Sequence, residues 1–579
     1  MALRKIDSVS VVIIILGFVA TVLENGANQA YAVIRAGHII DLAIFLLFVS
    51  IYALKCFRAP DKRAYFKKNI LETSFIAAFL LVFVYGKNSF FFTGPHAWHH
   101  IPSKVAVVLS IFTIFKVLFQ VKKLSDYFRN LTTHPARTIM SSFLVVIIVG
   151  TFLLMVPLAT PGNSRIGFVD ALFTATSATC VTGLTVIDTA SKFSVFGKTI
   201  IMLLIQIGGL GIMILAVFVV FLVGRKLSLR DKLTMSYMLD EEDSRNIAGT
   251  IKSIVVLTFA IELCGAILLC FVFRGAVTGV MKTVFYSLFH AVSAFCNAGF
   301  ALFPGNLARF RSSLAANAVI AGLIIAGGIS FSVIVNSYRN ISGTVRKAIF
   351  RRNLKTEKLN LNTMVVLTTT AIMIVAGTLL IYKFEHRTML LPLDITTQYL
   401  MAFFQSVTLR TAGFNTMDIS GLTNATYLLM ILFMFIGGAS GSTAGGIKVN
   451  SLGILWAYVR SVFTNKDDVV LLKHTIPQSL INQTFLVIVS SLGVVFFGVL
   501  LLSFTERVKM IRIIFEAVSA FGTVGLSTGI TPELTTFGKM VIIVLMFIGR
   551  IGPLTVIMAL SRQTARHRIR YPEGKINIG

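Results

Sequence analysis

The residues of this 579-residue chain best placed to do chemistry are glycines and their neighbours. Four segments echo one another: Ala-Thr-Ser-Ala-Thr-Cys-Val-Thr-Gly-Leu-Thr ending at Thr185, Ala-Val-Ser-Ala-Phe-Cys-Asn-Ala-Gly-Phe-Ala ending at Ala301, Gln-Ser-Val-Thr-Leu-Arg-Thr-Ala-Gly-Phe-Asn ending at Asn415, and Ala-Val-Ser-Ala-Phe-Gly-Thr-Val-Gly-Leu-Ser ending at Ser527. The shared glycines, Gly183, Gly299, Gly413 and Gly525, are 116, 114 and 112 residues apart. Glycine permits backbone angles closed to other residues and lets chains approach closely. A loop that turns at such a residue presents carbonyl oxygens, which can replace the water shell of a cation. The expected ligands are the backbones of Val181, Thr182 and Gly183; Asn297, Ala298 and Gly299; Thr411, Ala412 and Gly413; and Thr523, Val524 and Gly525.

A second echo follows 24 to 28 residues after each of these glycines, at Ile-Gly-Gly-Leu-Gly (207–211), Ala-Gly-Gly-Ile-Ser (326–330), Ile-Gly-Gly-Ala-Ser (436–440) and Ile-Gly-Arg-Ile-Gly (548–552). Glycine pairs inside a helix weaken it, so close packing or a break is expected there. In the third copy the break widens to Gly-Gly-Ala-Ser-Gly-Ser-Thr-Ala-Gly-Gly-Ile-Lys, residues 437–448. A flexible insertion at that depth is placed to obstruct a pore. Its candidate gating residues are Gly437, Gly438, Ser440, Gly441, Ser442, Thr443, Gly445, Gly446 and Lys448, together with Arg550 of the fourth copy. Gly438 and Arg550 each lie 25 residues after their shared glycine, which puts them at one depth in adjacent quarters. An arginine has five donors and no acceptor, and a broken helix offers free carbonyls.

The elements that position these residues follow from composition. Hydrophobic residues make up 56% of the chain and charged residues 13%, about half the usual charged share. Apolar runs of about 20 residues, enough to cross some 30 Å of hydrocarbon, recur near 9–24, 39–57, 69–86, 104–121, 138–158, 197–224, 252–273, 313–338, 360–382, 423–460, 480–504 and 537–561. A soluble enzyme or a nucleic-acid-binding module is excluded, although the net charge is +29. With the N-terminus cytoplasmic, 33 of the 53 Lys and Arg fall in inner segments, the bias that sets membrane topology, so both termini are expected inside. Each shared glycine follows a semi-apolar stretch too short to cross. The expected fold is an all-α polytopic membrane protein: four span–pore-helix–span repeats (138–224, 252–338, 360–460 and 480–561) around a pseudo-fourfold pore, preceded by about four extra helices in 1–125. The conducting domain is 126–579, with a cytosolic tail from 562. Non-helical backbone at membrane depth survives only when buried in protein or lining a water-filled cavity.

Other groups point to packing. Five cysteines show no metal-ligand or disulfide spacing; Cys180 and Cys296 share one position, three before the glycine, and Arg410 takes it in the third copy. Glu516 and Asp394 are candidate partners for Arg410. His290 and Glu516 match each other nine residues before their glycines, and His96, His99 and His100 form an outer cluster expected to be solvated. Only Lys116 lies inside the fourth run, too few bases for a voltage sensor. No phosphate-binding loop is present, so nucleotide sensing is expected on another chain.

In combination these motifs resemble the Trk/Ktr/HKT superfamily of potassium transporters, most of all the Ktr-type membrane subunit, whose tail the closing Tyr-Pro-Glu-Gly-Lys-Ile-Asn-Ile-Gly also resembles. The resemblance covers about 138–579, and the first 125 residues depart from it. It implies K⁺ uptake across the cell inner membrane, with K⁺ held at the four triplets as transported ion, and an intramembrane gating loop at 437–448. It further implies a homodimer and a cytosolic nucleotide-binding regulatory subunit of the RCK/KTN type. Family members with Ser at the first filter position favour Na⁺; all four positions are Gly here, so K⁺ is implied. The competing expectation is a secondary carrier coupling Na⁺ or H⁺ to K⁺. Such carriers commonly have inverted repeats, whereas these four share one orientation.

Overall fold

The computed structural model describes residues 135–161, 166–211, 214, 247–350 and 358–561. The runs expected before residue 125, the outer histidine cluster and the tail from 562 lie outside the described residues.

A long helix followed by two shorter ones recurs four times. The first set is α1 (Pro135–Met155), α2 (Phe168–Thr179) and α3 (Val195–Leu210). The second is α4 (Ile247–Phe273), α5 (Val280–Phe295) and α6 (Leu314–Gly328), continued by α7 (Phe331–Phe350). The third is α8 (Leu361–Glu385), α9 (Ile395–Thr408) and α10 (Asn424–Phe435), continued by α11 (Val449–Phe463). The fourth is α12 (Gln478–Thr505), α13 (Met510–Gly522) and α14 (Thr536–Ile551), continued by α15 (Pro553–Leu560). A two-residue hairpin, Val470–Leu471 with His474–Thr475, is a small exception to the all-helical expectation.

One capping device starts the third helix of every set. Ser194, Ser313, Thr423 and Thr535 each accept a hydrogen bond from the N–H three residues on, which satisfies a donor the helix leaves free. Glu385, at the end of α8, also accepts from the N–H and hydroxyl of Thr423, both at 2.9 Å. Glu506, just past α12, does the same for Thr535. The long helix thereby fixes where the third one begins.

Among the described residues, four helices are long and apolar enough to cross a membrane: α1, α4, α8 and α12. Their outer faces carry large exposed side chains such as Phe259, Leu263, Ile267 and Phe271 on α4, as lipid contact requires. The stretches expected as straight spans at 313–338 and 537–561 are bent: α6 meets α7 at 106° and α14 meets α15 at 95°. Both bends fall at the second echo, where Gly552 takes a φ of +92° that side chains disfavour. The stretches expected at 197–224 and 423–460 give the shorter helices α3 and α10 among the described residues.

Helix-interior glycines explain how tightly the sets are built. A methyl group on Gly208, Gly327 or Gly549 would collide with the carbonyl oxygen of Thr179, Phe295 or Phe521, at the end of the short helix of the same set. The first and last sets also meet. Lys539 on α14 pairs with Asp170 on α2 at 2.8 Å, and Arg137 on α1 donates through Nε to Ala559 O on α15 at 2.7 Å.

Candidate functional site

Each short helix ends in the same turn. The residue two before the shared glycine is left-handed, with φ of +58° at Val181, +59° at Asn297, +67° at Thr411 and +51° at Thr523. Gly183, Gly299, Gly413 and Gly525 follow with φ of +92°, +68°, +76° and +87°. These two reversals turn the chain out of the helix and back. They cost energy at a non-glycine residue and persist because the surroundings are fully buried.

The four turns touch in a ring. A methyl group on Gly183 would fall within 3 Å of Ala298 O, one on Gly299 within 3 Å of Ala412 O, one on Gly413 within 3 Å of Val524 O, and one on Gly525 within 3 Å of Thr182 O. Each glycine abuts the residue before the next glycine, and the last abuts the first. The twelve residues expected as ligands are therefore brought together, with no charged side chain among them. The nearby ends of α2, α5, α9 and α13 carry the partly negative pole of each helix. Above the ring, cavities of about 440 Å³ and 240 Å³ share Gly183, Thr185, Asn306 and Asn415 as lining. Oxygen ligands without formal charge suit a weakly hydrated monovalent cation that must also leave.

On the other side of the ring lies the 437–448 segment, which contacts the second and fourth sets directly and is linked to the first through Arg550. Ala439 N–H donates to Gly328 O at 3.0 Å, and Thr443 Oγ1 donates to Gly327 O at 2.9 Å. Gly445 leaves room for Thr523 only because it lacks a side chain. Arg550 donates to Thr443 O of the segment and to Gly208 O of the first set. Lys448 folds back to Ala444 O at 2.7 Å, while Gly437 N–H bonds Ile447 O at 2.7 Å and closes the base of the loop. Arg550 thus finds a loop carbonyl, but it is that of Thr443, with Gly208 as a second partner; Gly438 packs instead on Ala444 and Gly328.

Arg410 corrects an expectation. It is fully buried, and its hydrogen bond goes to Thr370 Oγ1 on α8 at 2.9 Å. Glu516 is engaged with Thr531. Asp394 caps α9, where the Thr397 hydroxyl and N–H hold its carboxyl below the ordinary carboxylate range. A neutral hydroxyl, not an opposite charge, is the partner of Arg410. His290 is ringed by Phe273, Phe303 and Phe414, and its Nε2 accepts from Leu302 N–H at 3.2 Å. It therefore packs α5 against its neighbours. Cys296 Sγ lies 3.7 Å from Glu262 Oε1. Glu262, a buried carboxylate on α4, was missed, although a lone acid inside an apolar run is itself a signal. Ser177 and Ser293, six before their glycines, were also missed. Their hydroxyls bond Leu184 O at 2.7 Å and Phe300 O at 2.8 Å.

Residues 104–568 match the family described as TrkH, cation transport protein. The chain belongs to that family. It is 40% identical over 447 residues to the Ktr system potassium uptake protein B of Bacillus subtilis (strain 168), covering 77% of this chain and 97% of that relative. It is 37% identical to the protein of the same name from Vibrio alginolyticus, over 76% of this chain and 94% of that one. The potassium/sodium uptake protein NtpJ of Enterococcus hirae is also 37% identical, over 77% and 97% of the two chains. The crystal structure of the potassium transporter TrkH from Vibrio parahaemolyticus superposes with a TM-score of 0.55 over 94% of this chain and 98% of that one, at 19% identity. That is a likeness of fold. The family is one of membrane transporters, not of enzymes.

Proposed function

We propose that this chain takes K⁺ into the cell through the ring of Gly183, Gly299, Gly413 and Gly525, with residues 437–448 and Arg550 as the closed gate. The observation that carries this reading is the cyclic contact of the four turns, glycine against neighbouring carbonyl all the way round. It stacks uncharged oxygens about one axis and leaves no room for a side chain. The relatives' names, potassium uptake protein B, point to the same ion. Arg550 and Lys448 put positive charge beneath the ring, which repels a cation leaving it while the loop is in place. Control comes from a cytosolic nucleotide-binding subunit, the chain pairs as a homodimer, and both termini face the cytoplasm of the inner membrane.

The decisive experiment compares K⁺ and Na⁺ uptake by the full-length chain and by Gly183→Ser. The hydroxymethyl group meets the Ala298 carbonyl, so K⁺ preference falls while the protein still inserts. A folded variant with unchanged relative uptake removes the filter from this position. Purification from native membranes should also recover a soluble subunit. Fully regulated uptake by the chain alone would reject that part of the proposal.

A further inference from the structure

The third turn is built differently from the other three. In the first, second and fourth sets the N–H before the glycine closes on a serine carbonyl six residues before that glycine: Thr182 on Ser177 at 2.8 Å, Ala298 on Ser293 at 2.7 Å and Val524 on Ser519 at 2.8 Å. In the third, Ala412 N–H closes on Thr408 O at 3.0 Å, and Val407 stands where the serine would be. The other short helices also tie down the strand that climbs away from the glycine. Ser177 holds Leu184 O, Ser293 and His290 hold Phe300 O and Leu302 N–H, and Glu516 holds Thr531. Among the described residues, no side chain of α9 does this for residues 413–417.

The support comes from the neighbouring set. Asn306, in the outer connection between α5 and α6, donates through Nδ2 to Gly413 O at 3.4 Å. The next residue, Leu307, donates its N–H to Asn415 O at 3.1 Å. Gly305 and Asn306 take φ of +69° and +62° to make this approach, a conformation asparagine tolerates better than most residues. Asn306 lines both cavities above the ring. Its Oδ1 has no partner among the described residues, so the donated bond is the amide's one tie to the third turn.

We infer that Asn306 is a specificity-determining positioning residue: by donating to the Gly413 carbonyl it fixes the third quarter of the ring, which its own helix leaves unbraced. This rests on the ring being the selectivity filter. A carbonyl held at fixed angle discriminates between ions of different radius; a carbonyl free to swing follows either ion.

The test measures K⁺, Rb⁺ and Na⁺ influx into proteoliposomes holding the full-length chain. Asn306→Gly removes the amide and accepts the left-handed backbone without strain. One neutral hydrogen bond is worth a factor of about 2 to 10, and the long Nδ2–O distance places the loss of K⁺ over Na⁺ preference at the lower end. Asn306→Asp keeps the backbone preference and sets a carboxylate against the Gly413 carbonyl; its loss is equal or larger, and it carries the test if the glycine variant does not accumulate. Gly413→Ser, measured alongside, reports on the ring itself. Wild-type selectivity in both Asn306 variants with altered selectivity in Gly413→Ser overturns the inference and leaves the filter in place. Unaltered selectivity in all three overturns the filter reading as well. A loss falling equally on the three ions marks the 303–310 connection as merely structural and also overturns the inference.

Discussion

The third set of helices and the other three share a plan and part at two points, and both departures occur where packing has been given up. In the first, second and fourth sets, a glycine of the third helix presses on the end of the short helix: Gly208 on Thr179, Gly327 on Phe295 and Gly549 on Phe521. In the third, Gly437 presses on Gly445 of its own loop. The loop has taken the place of a neighbouring helix end. The turn above it lacks the serine whose carbonyl closes the other three, and the buried Arg410 stands where the first two sets have cysteine and the fourth has glycine. Three quarters of the ring are thus locked by helix packing, and one is held by contacts that a loop or a neighbouring connection supplies. The proposed gate lies against this quarter, where the tight packing that resists deformation elsewhere is replaced by loop contacts.

The largest effect expected from this contrast is on folding. Gly549→Ala drives a methyl group into the Phe521 carbonyl, and overpacking of this kind costs about 3 kcal/mol, more than the roughly 1 kcal/mol that alanine returns as a helix former. Little protein should accumulate in membranes, as read by immunoblot. Gly437→Ala meets a loop that can shift, so the protein should accumulate with raised basal K⁺ flux. Equal failure of both variants would show that the loop is as rigid as a helix end.

Next comes conduction. Deleting Gly441–Gly445 removes the loop acceptor of Arg550, leaving it only the first set's carbonyls, and removes the contacts to Gly327, so K⁺ flux in proteoliposomes should rise several-fold and depend less on a regulatory partner. Arg550→Ala should do the same more weakly, since Thr443 keeps its bond to Gly327. An inserted deletion variant that conducts no better than the parent makes the loop a packing element.

The smallest effect separates the braces themselves. Ser177→Ala loses two bonds, to Leu184 O and from Gly183 N–H, and should lower thermal stability by about 1 kcal/mol. Among the described residues Ser519 Oγ has no hydrogen-bond partner, so Ser519→Ala should leave the melting temperature nearly unchanged. A reversed order would mean that the fourth turn is braced in a way its geometry does not suggest.

Much of this was legible in the sequence because glycine answers to geometry. A positive φ combined with a carbonyl within 3 Å of where a Cβ would stand demands it, so Gly183, Gly299, Gly413 and Gly525 stand out at near-equal spacing. The second echo was legible for the same reason, although the 106° and 95° bends were not, since a glycine pair marks a weak point without giving a direction. Asn306 was invisible: its partner lies 107 residues away, and an asparagine after Pro-Gly reads as an ordinary turn. The partner of Arg410 escaped because Thr370 is one hydroxyl among many in apolar helices.

A ring made from one chain has three joints spanned by connecting chain and one that is not. Here the unspanned joint brings Gly525 against Thr182 and is fastened by Lys539 with Asp170 on α2 and by Arg137 with the carbonyl of Ala559. The order of synthesis gives this joint a meaning of its own. The first turn enters the membrane with one flank bare and stays so while some 340 further residues are made. Until the fourth turn arrives, the growing protein is an open arc, and a chain interrupted anywhere before residue 525 never closes the ring through which the proposed K⁺ path runs.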